Sequence, residues 1–154
     1  MRKLLLPVFI LAAACLFLGG CIKNTPYVTT INPSMSASIG SYKFVAGATV
    51  PATLDSQSFD TTRTLIITGR GSDKRYPTDR IVLTISAYRG VAGTFSIVQG
   101  QASATYYHGS VLSPAAGGVV SITRITDNSI IGYFSFNTTD NIAVTNGDFN
   151  VGLP

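Results

Sequence analysis

The stretch Arg80-Ile81-Val82-Leu83-Thr84-Ile85-Ser86-Ala87-Tyr88 (RIVLTISAY, residues 80–88) decides the fold class. Its odd-numbered positions are all apolar: Ile81, Leu83, Ile85 and Ala87. Because successive side chains of a strand point to opposite faces, this period of two predicts an antiparallel strand with one face on a core. The same alternation predicts that Tyr88 lies on the other face.

Similar segments lie on both sides of this strand. They are SASIGSYKFVA (36–46), TVPATL (49–54), TRTLIITG (62–69), GTFSIV (93–98), ASATYYH (102–108), GGVVSITRI (117–125), SIIGYFSF (129–136) and IAVTNGDFNV (142–151). Short connections without helical periodicity separate them, which predicts a single antiparallel meander of eight or nine strands over residues 36–154. The meander should fold as a sandwich or a flattened barrel.

The last segment changes its alternation part of the way along. Ile142 and Val144 share one parity, whereas Phe149 and Val151 share the other. A slip of one residue would turn half of these side chains to solvent. Either a bulge or a two-residue hairpin at residues 146–147 would correct the register, and the short arms favour the bulge.

Composition agrees with an all-β chain. Glu is absent, and Thr, Ser, Ile, Val, Tyr, Phe and Gly dominate after residue 20. Such residues favour pleated surfaces and turns. Of the 11 Lys and Arg residues, Arg2 and Lys3 precede residue 20, so nine remain against seven Asp. That balance lacks the clustered basic face that nucleic acid requires, and we expect no nucleic-acid partner.

An apolar leader precedes the predicted domain. Arg2 and Lys3 are followed by a run without charge from Leu4 to Leu18, in which Pro7 is the one residue outside the apolar set. A basic start, an apolar run and small residues after it predict a secretory signal peptide, helical in character, over residues 1–20. The run is shorter than the roughly 20 residues of a membrane-spanning helix, so a permanent transmembrane anchor is the less favoured alternative.

The run ends in Leu18-Gly19-Gly20-Cys21, which resembles the lipobox of bacterial lipoproteins. The resemblance implies cleavage before Cys21, attachment of a diacylglycerol to its sulfur and acylation of its amine with palmitate-like chains. Cys21 would therefore bind the membrane, and residues 21–35 would form the lipidated end and a tether. The end of that tether could instead pair as an edge strand. Cys15 would leave with the signal, so the mature chain would hold no disulfide and no cysteine metal site.

The residues after Cys21 bear on the compartment. Ile22 at this position resembles lipoproteins that are sorted to the outer membrane, and IKNTPYV (22–28) contains no acidic stretch of the kind that resembles a surface-export signal. We therefore expect a lipid-anchored protein of the outer membrane that faces the periplasm in preference to the cell surface.

The C-terminal third resembles an uncharacterised all-β lipoprotein family of Bacteroidota. The matching residues are a strand at 122–125, a turn at Asp127-Asn128, the GYFSF strand at 132–136 and the closing VTNGDF at 144–149. Tyr133 stands where the family usually has Thr. The resemblance implies a lipid-anchored β-domain, and it implies no activity.

The loop GRGSDKRYPTDR (69–80) is the best candidate for a binding surface. Six of the 16 charges after residue 20 fall between Arg70 and Arg80. The candidate residues are Arg70, Lys74, Arg75, Tyr76 and Arg80. An arginine-rich loop with an aromatic residue can bind an anionic glycan, a phosphate or a partner protein. The alternative is a solvated hairpin tip whose Arg and Asp side chains pair with one another.

Groups for catalysis are scarce. The part of the chain after Cys21 offers one His, no Glu and no Cys for acid, base or nucleophilic work. His108 ends a strand before Gly109, and it would need an Asp and a Ser beside it to support hydrolysis. Asp127-Asn128 and Asp140-Asn141 are isolated pairs that indicate turns and lack the spacing of a calcium loop. We expect no cofactor and no metal site.

The sequence leaves three hypotheses of function. The first is a non-enzymatic structural or interaction module of the cell envelope, with a protein or glycan partner. The second is a β-barrel-like protein that binds a small apolar or glycan ligand, although the mainly Ile, Leu and Phe interior favours a filled core. The third is a hydrolase that uses His108.

Overall fold

The computed structural model describes residues 34–46, 52–55, 63–71 and 77–153, with the backbone alone for 52–55. Every regular element in these ranges is a strand, which confirms the all-β prediction. The strands are β1 (Ser34–Ile39), β2 (Tyr42–Ala46), β3 (Ala52–Asp55), β4 (Arg63–Arg70), β5 (Arg80–Tyr88), β6 (Gly93–Ser96), β7 (Ala102–His108), β8 (Val111–Ile125), β9 (Ser129–Thr138) and β10 (Ala143–Gly152). None of the described segments is a helix that could span a membrane.

Several predicted features lie outside the described residues. They are the signal peptide, the lipidated Cys21, the tether up to residue 33, and the loop residues Lys74, Arg75 and Tyr76. Strand β1 begins at Ser34, although the sequence places the start of the domain at residue 36. It lies between β2 and β10 and not at a sheet edge.

Nine strands form one continuous antiparallel sheet in the order β2-β1-β10-β9-β8-β7-β5-β4-β3, and β6 pairs with β8 off this path. From β10 to β7 and from β5 to β3 the order is that of the predicted meander. The segment at residues 36–46 forms two strands because Gly40, at a φ of 56°, turns the chain between β1 and β2. The hairpin so formed extends the meander beside β10.

The sheet curls so that its edge strand β2 comes against the end of β4. Ala46, at the end of β2, forms an isolated bridge with Gly71, immediately after β4. Inside the curl, the thioether of Met35 on β1 packs over Gly69 on β4. The curled sheet therefore has an inner face, an outer face and two ends, which are where its strands begin or finish. Strands β1, β2 and β4 meet near one of those ends.

The inward parity of β5 is confirmed for Ile81, Leu83 and Ile85, which are fully buried. The prediction for the end of this strand is wrong. Ala87 has a φ of 52° and is exposed, whereas Tyr88 is 4 % exposed and turns inward. The pairing with β4 shifts its register here, so an extra residue reverses the alternation.

The predicted bulge in β10 is confirmed. The pairing of β10 with β9 shifts register between Val144 and Gly147, and Asn146 has a φ of 49°. Both Val144 and Phe149 are buried as a result. The rings of Phe134, Phe136 and Phe149 stack in the core.

Strand β8 joins the two halves of the sheet. Its first residues pair with β7, and its residues 119–122 pair with β6 along the same edge. Gly118 of this strand has a φ of 138°, and a Cβ there would overlap the backbone of Ser135 and Phe136. Glycine is therefore required at this close contact between β8 and β9.

Candidate functional site

Strand alternation directs a polar cluster into one end of the curled sheet. Asp79 precedes β5 and shares the inward parity of Ile81. His108 ends β7 and shares the inward parity of Tyr106. Strands β5 and β7 pair with Arg80 opposite Tyr107, so the two inward polar residues come to the same end of the sheet.

Asp79 is the centre of this cluster and is 1 % exposed. The Tyr106 hydroxyl donates to Asp79 Oδ2 at 2.7 Å, and His108 Nδ1 lies 3.0 Å from Asp79 Oδ1. The backbone N–H of Gly71 donates to the carbonyl of Asp79 at 2.7 Å, which fixes the main chain of Asp79. A buried carboxylate is costly unless hydrogen bonds satisfy it, and here each oxygen has a partner.

The contact with Asp79 determines the tautomer of His108. A carboxylate oxygen can only accept, so Nδ1 must carry the proton of this hydrogen bond. In the neutral ring, Nε2 then holds the lone pair. The His108 side chain is 57 % exposed, so a ring held by Asp79 at one nitrogen reaches solvent.

The cluster lies in a recess of about 340 Å³ at this end of the sheet. We call it the mouth recess. Its apolar walls are Ile39 at the end of β1, Tyr42 at the start of β2, Val111 on β8 and Ile142 before β10; its polar residues are Asp79, Tyr106, His108 and Ser113. The volume falls within the range of small-molecule pockets, which combine apolar walls with a few placed polar groups.

The loop predicted as a binding surface starts and ends at the mouth recess. Arg70 and Arg80 lie directly opposite each other on β4 and β5, and both point to the outer face. The guanidinium of Arg80 lies 3.9 Å from the centroid of the Tyr107 ring. Tyr106 and Tyr107 point to opposite faces, as adjacent strand residues are predicted to do.

The arrangement meets part of the requirement for hydrolysis. His108 has the Asp partner that hydrolysis would require. Ser113 lines the same recess and lies opposite Tyr106 in the pairing of β7 with β8. The ring of His108 is oriented by the hydrogen bond that its Nδ1 donates to Asp79 Oδ1, and the Tyr106 hydroxyl oxygen lies 3.4 Å from the same nitrogen. The geometry thus presents an oriented imidazole in an apolar recess, which can accept a hydrogen bond or a proton.

Three residues of this site, Asp79, Tyr106 and Ser113, were not predicted from the sequence. Two signals were available: Asp79 continues the parity of Ile81, and His108 continues that of Ala102 and Ala104. An Asp and a His on inward positions at strand ends are candidates for a shared site. The register that joins them depends on the pairing of β5 with β7, which no local pattern specifies.

Within the described ranges, no group of three or more His, Cys, Asp or Glu side chains comes together to hold a metal ion. Comparisons of the chain with protein-family models, with curated proteins and with solved structures find no match. Any function of this chain must therefore be inferred from the site itself.

Proposed function

We propose that this chain is a lipoprotein of the bacterial outer membrane whose β-domain binds a small ligand in the mouth recess. The observation that carries the proposal is the recess of about 340 Å³, with apolar walls and an imidazole oriented by a buried carboxylate. The ligand is a largely apolar molecule with one hydroxyl or N–H donor, because Nε2 of neutral His108 accepts a hydrogen bond. The lipobox-like end of the leader supports the location, with the domain facing the periplasm.

The binding role is non-enzymatic. We prefer ligand binding to a purely structural role because this end of the sheet holds a recess. A structural module would need no such space and could fill it with side chains. Partners of the envelope, protein or glycan, remain compatible with an anchored binding domain.

The ligand site is tested with 1-naphthol, an apolar molecule with one hydroxyl, and with naphthalene, which lacks the donor. Binding to the full lipidated chain in non-ionic detergent is followed by saturation-transfer NMR. We expect 1-naphthol to bind more tightly than naphthalene. Val111→Arg, at the rim of the recess, should weaken binding about tenfold or more. A tenfold loss of affinity corresponds to roughly 1.4 kcal/mol of binding free energy.

A matched control exists for this experiment. Val91 is 56 % exposed and Val111 is 61 % exposed, but Val91 does not line the recess. Val91→Arg should leave 1-naphthol binding unchanged. Equal loss in the two variants, or equal binding of naphthalene and 1-naphthol, would contradict the assignment of the ligand site.

The anchor is tested separately by labelling growing bacteria with an alkynyl palmitate. We expect Cys21→Ser to abolish the label and Cys15→Ser to retain it, because Cys15 leaves with the signal. Protease added to intact cells should leave the domain uncut if it faces the periplasm. Label retained in Cys21→Ser would refute the lipid anchor.

A hydrolase is the second candidate, because the pairing of His108 with Asp79 is the arrangement that activates a nucleophile in many hydrolases. Ser113 would be that nucleophile. A fluorophosphonate probe distinguishes the two functions, and we expect it to leave Ser113 unmodified. Labelling that disappears in both Ser113→Ala and His108→Ala would establish the enzyme and refute the binding role.

A further inference from the structure

A row of four side chains crosses the outer face beside the mouth recess. Arg70, Arg80, Tyr107 and Leu112 lie in register on β4, β5, β7 and β8. Their neighbours in sequence, among them Ile81, Tyr106 and Ser113, point inward. With strands about 4.8 Å apart, this arginine row spans roughly 14 Å of the open surface.

Two arginines, Arg70 and Arg80, lie directly opposite each other on β4 and β5 at one end of the row. Like charges directly opposite on neighbouring strands destabilise a sheet. In the part of the chain that the structure describes, neither Arg70 nor Arg80 forms an ion pair with a carboxylate. A bound anion close to both arginines would reduce this repulsion.

Arg80 is held in place for contact with an anion. Its guanidinium stacks on Tyr107 at 3.9 Å, and its Nε is buried without a hydrogen-bond partner among the residues that the structure describes. The side chain therefore lies flat along the sheet and does not extend into solvent. A guanidinium fixed by stacking loses less freedom when it binds a planar or tetrahedral anion.

The other end of the row is apolar. Leu112 is 53 % exposed and lies beside Tyr107. A ligand that fits the whole row carries its charge at one end and presents C–H groups at the other. A row with only two cations matches a single carboxylate or phosphate group, which arginine binds with two parallel hydrogen bonds.

We propose that the arginine row binds a sugar that carries a carboxylate or a phosphate group. The anion binds beside Arg80, whose guanidinium is held over Tyr107, with Arg70 on the neighbouring strand as the second cation, and the C–H face of the sugar rests on Leu112. This site is distinct from the mouth recess, which lies on the inner face of the same strands. The proposal assigns a ligand class to Arg70 and Arg80, which lie at the two ends of the charged loop at residues 69–80.

The test is calorimetry with the full lipidated chain in non-ionic detergent. The probes are trigalacturonate, mannose 6-phosphate, the neutral sugar galactose and inorganic phosphate. We expect one or both of the acidic sugars to bind and galactose not to bind. Arg70→Gln and Arg80→Gln should each weaken binding about fivefold, as exposed charge contacts do, and added salt should weaken it further.

Arg63→Gln is the matched control, because Arg63 is exposed at the opposite end of β4. Equal loss in Arg63→Gln would show a general charge effect and overturn the proposal. Inorganic phosphate that binds as tightly as the acidic sugars would overturn the role of the sugar. Binding of 1-naphthol by Arg70→Gln and Arg80→Gln, measured in parallel, separates failure of this site from failure of the mouth recess.

Discussion

Two buried tyrosines, one near each end of the curled sheet, differ in how their hydroxyl groups are satisfied. Tyr106 and Tyr88 are each 4 % exposed. The Tyr106 hydroxyl donates to Asp79 at 2.7 Å, whereas the Tyr88 hydroxyl is buried without a partner among the described residues. Near Tyr88 the neighbour is the ring of Phe95, at 6.1 Å between centroids.

The difference shows where the fold has built a polar site. Burial of a tyrosine does not by itself require a carboxylate, because Tyr88 is buried without one. Asp79 lies inside the sheet and contacts His108, whose ring reaches solvent. A buried carboxylate stabilises the fold only when its partners are in place. The polar cluster at the mouth recess is therefore a candidate for function, whereas Tyr88 at the other end contributes to core packing.

The largest expected effect comes from Asp79→Ala. This change leaves the Tyr106 hydroxyl buried without an acceptor and releases His108. We expect the free energy of unfolding to fall by roughly 2–3 kcal/mol, measured by urea denaturation and circular dichroism. Asp140→Ala, at an exposed turn, is the control and should change it by less than about 0.5 kcal/mol. Equal effects would mean that the Asp79 contacts add nothing.

Tyr106→Phe should have the next largest effect. It removes one hydrogen bond to the carboxylate of Asp79 and keeps the ring in the core. Hydrogen bonds to charged groups contribute about 1.5–3 kcal/mol, and we expect a loss of about 2 kcal/mol in the same measurement. In an Asp79→Ala background the loss should become much smaller. A full loss in that background would show that the two residues act independently.

Tyr88→Phe should change stability in the opposite direction. It removes a buried hydroxyl that has no partner in the described part of the chain, so we expect the free energy of unfolding to rise by about 1 kcal/mol. The comparison with Tyr106→Phe uses the same substitution at the same fractional exposure. A loss of stability in Tyr88→Phe would show that this hydroxyl contributes a favourable contact after all.

The smallest effect is expected in alkaline solution. Burial raises the pKa of the Tyr88 hydroxyl above its ordinary value of 10.0. The unfolded chain therefore loses this proton first as the pH rises, and stability falls from about pH 10 up to the folded pKa. Urea denaturation between pH 9 and 11 should show a steeper decline in the wild type than in Tyr88→Phe. Parallel curves would exclude Tyr88 as the source.

The alternation of side chains allowed much of the fold to be predicted from the sequence. The strand at residues 80–88 and the bulge near Asn146 follow from periods of two and from their interruption. The reversal at Ala87 could not be predicted, because Ala fits either face and the apolar part of Tyr88 fits the core. Its hydroxyl makes the inward position look unfavourable, and only packing against Phe95 shows that the fold tolerates it.

The sequence by itself determined the all-β class, the inward facing of most of β5 and the bulge in β10. These are properties of neighbouring residues, so local patterns are enough. The tertiary structure alone decided which polar side chains meet. Asp79 and His108 are 29 residues apart, and they meet because β5 pairs with β7 while β6 pairs with β8. Register between distant strands depends on the packing of the whole sheet, and so the mouth recess emerges only when the sheet is assembled.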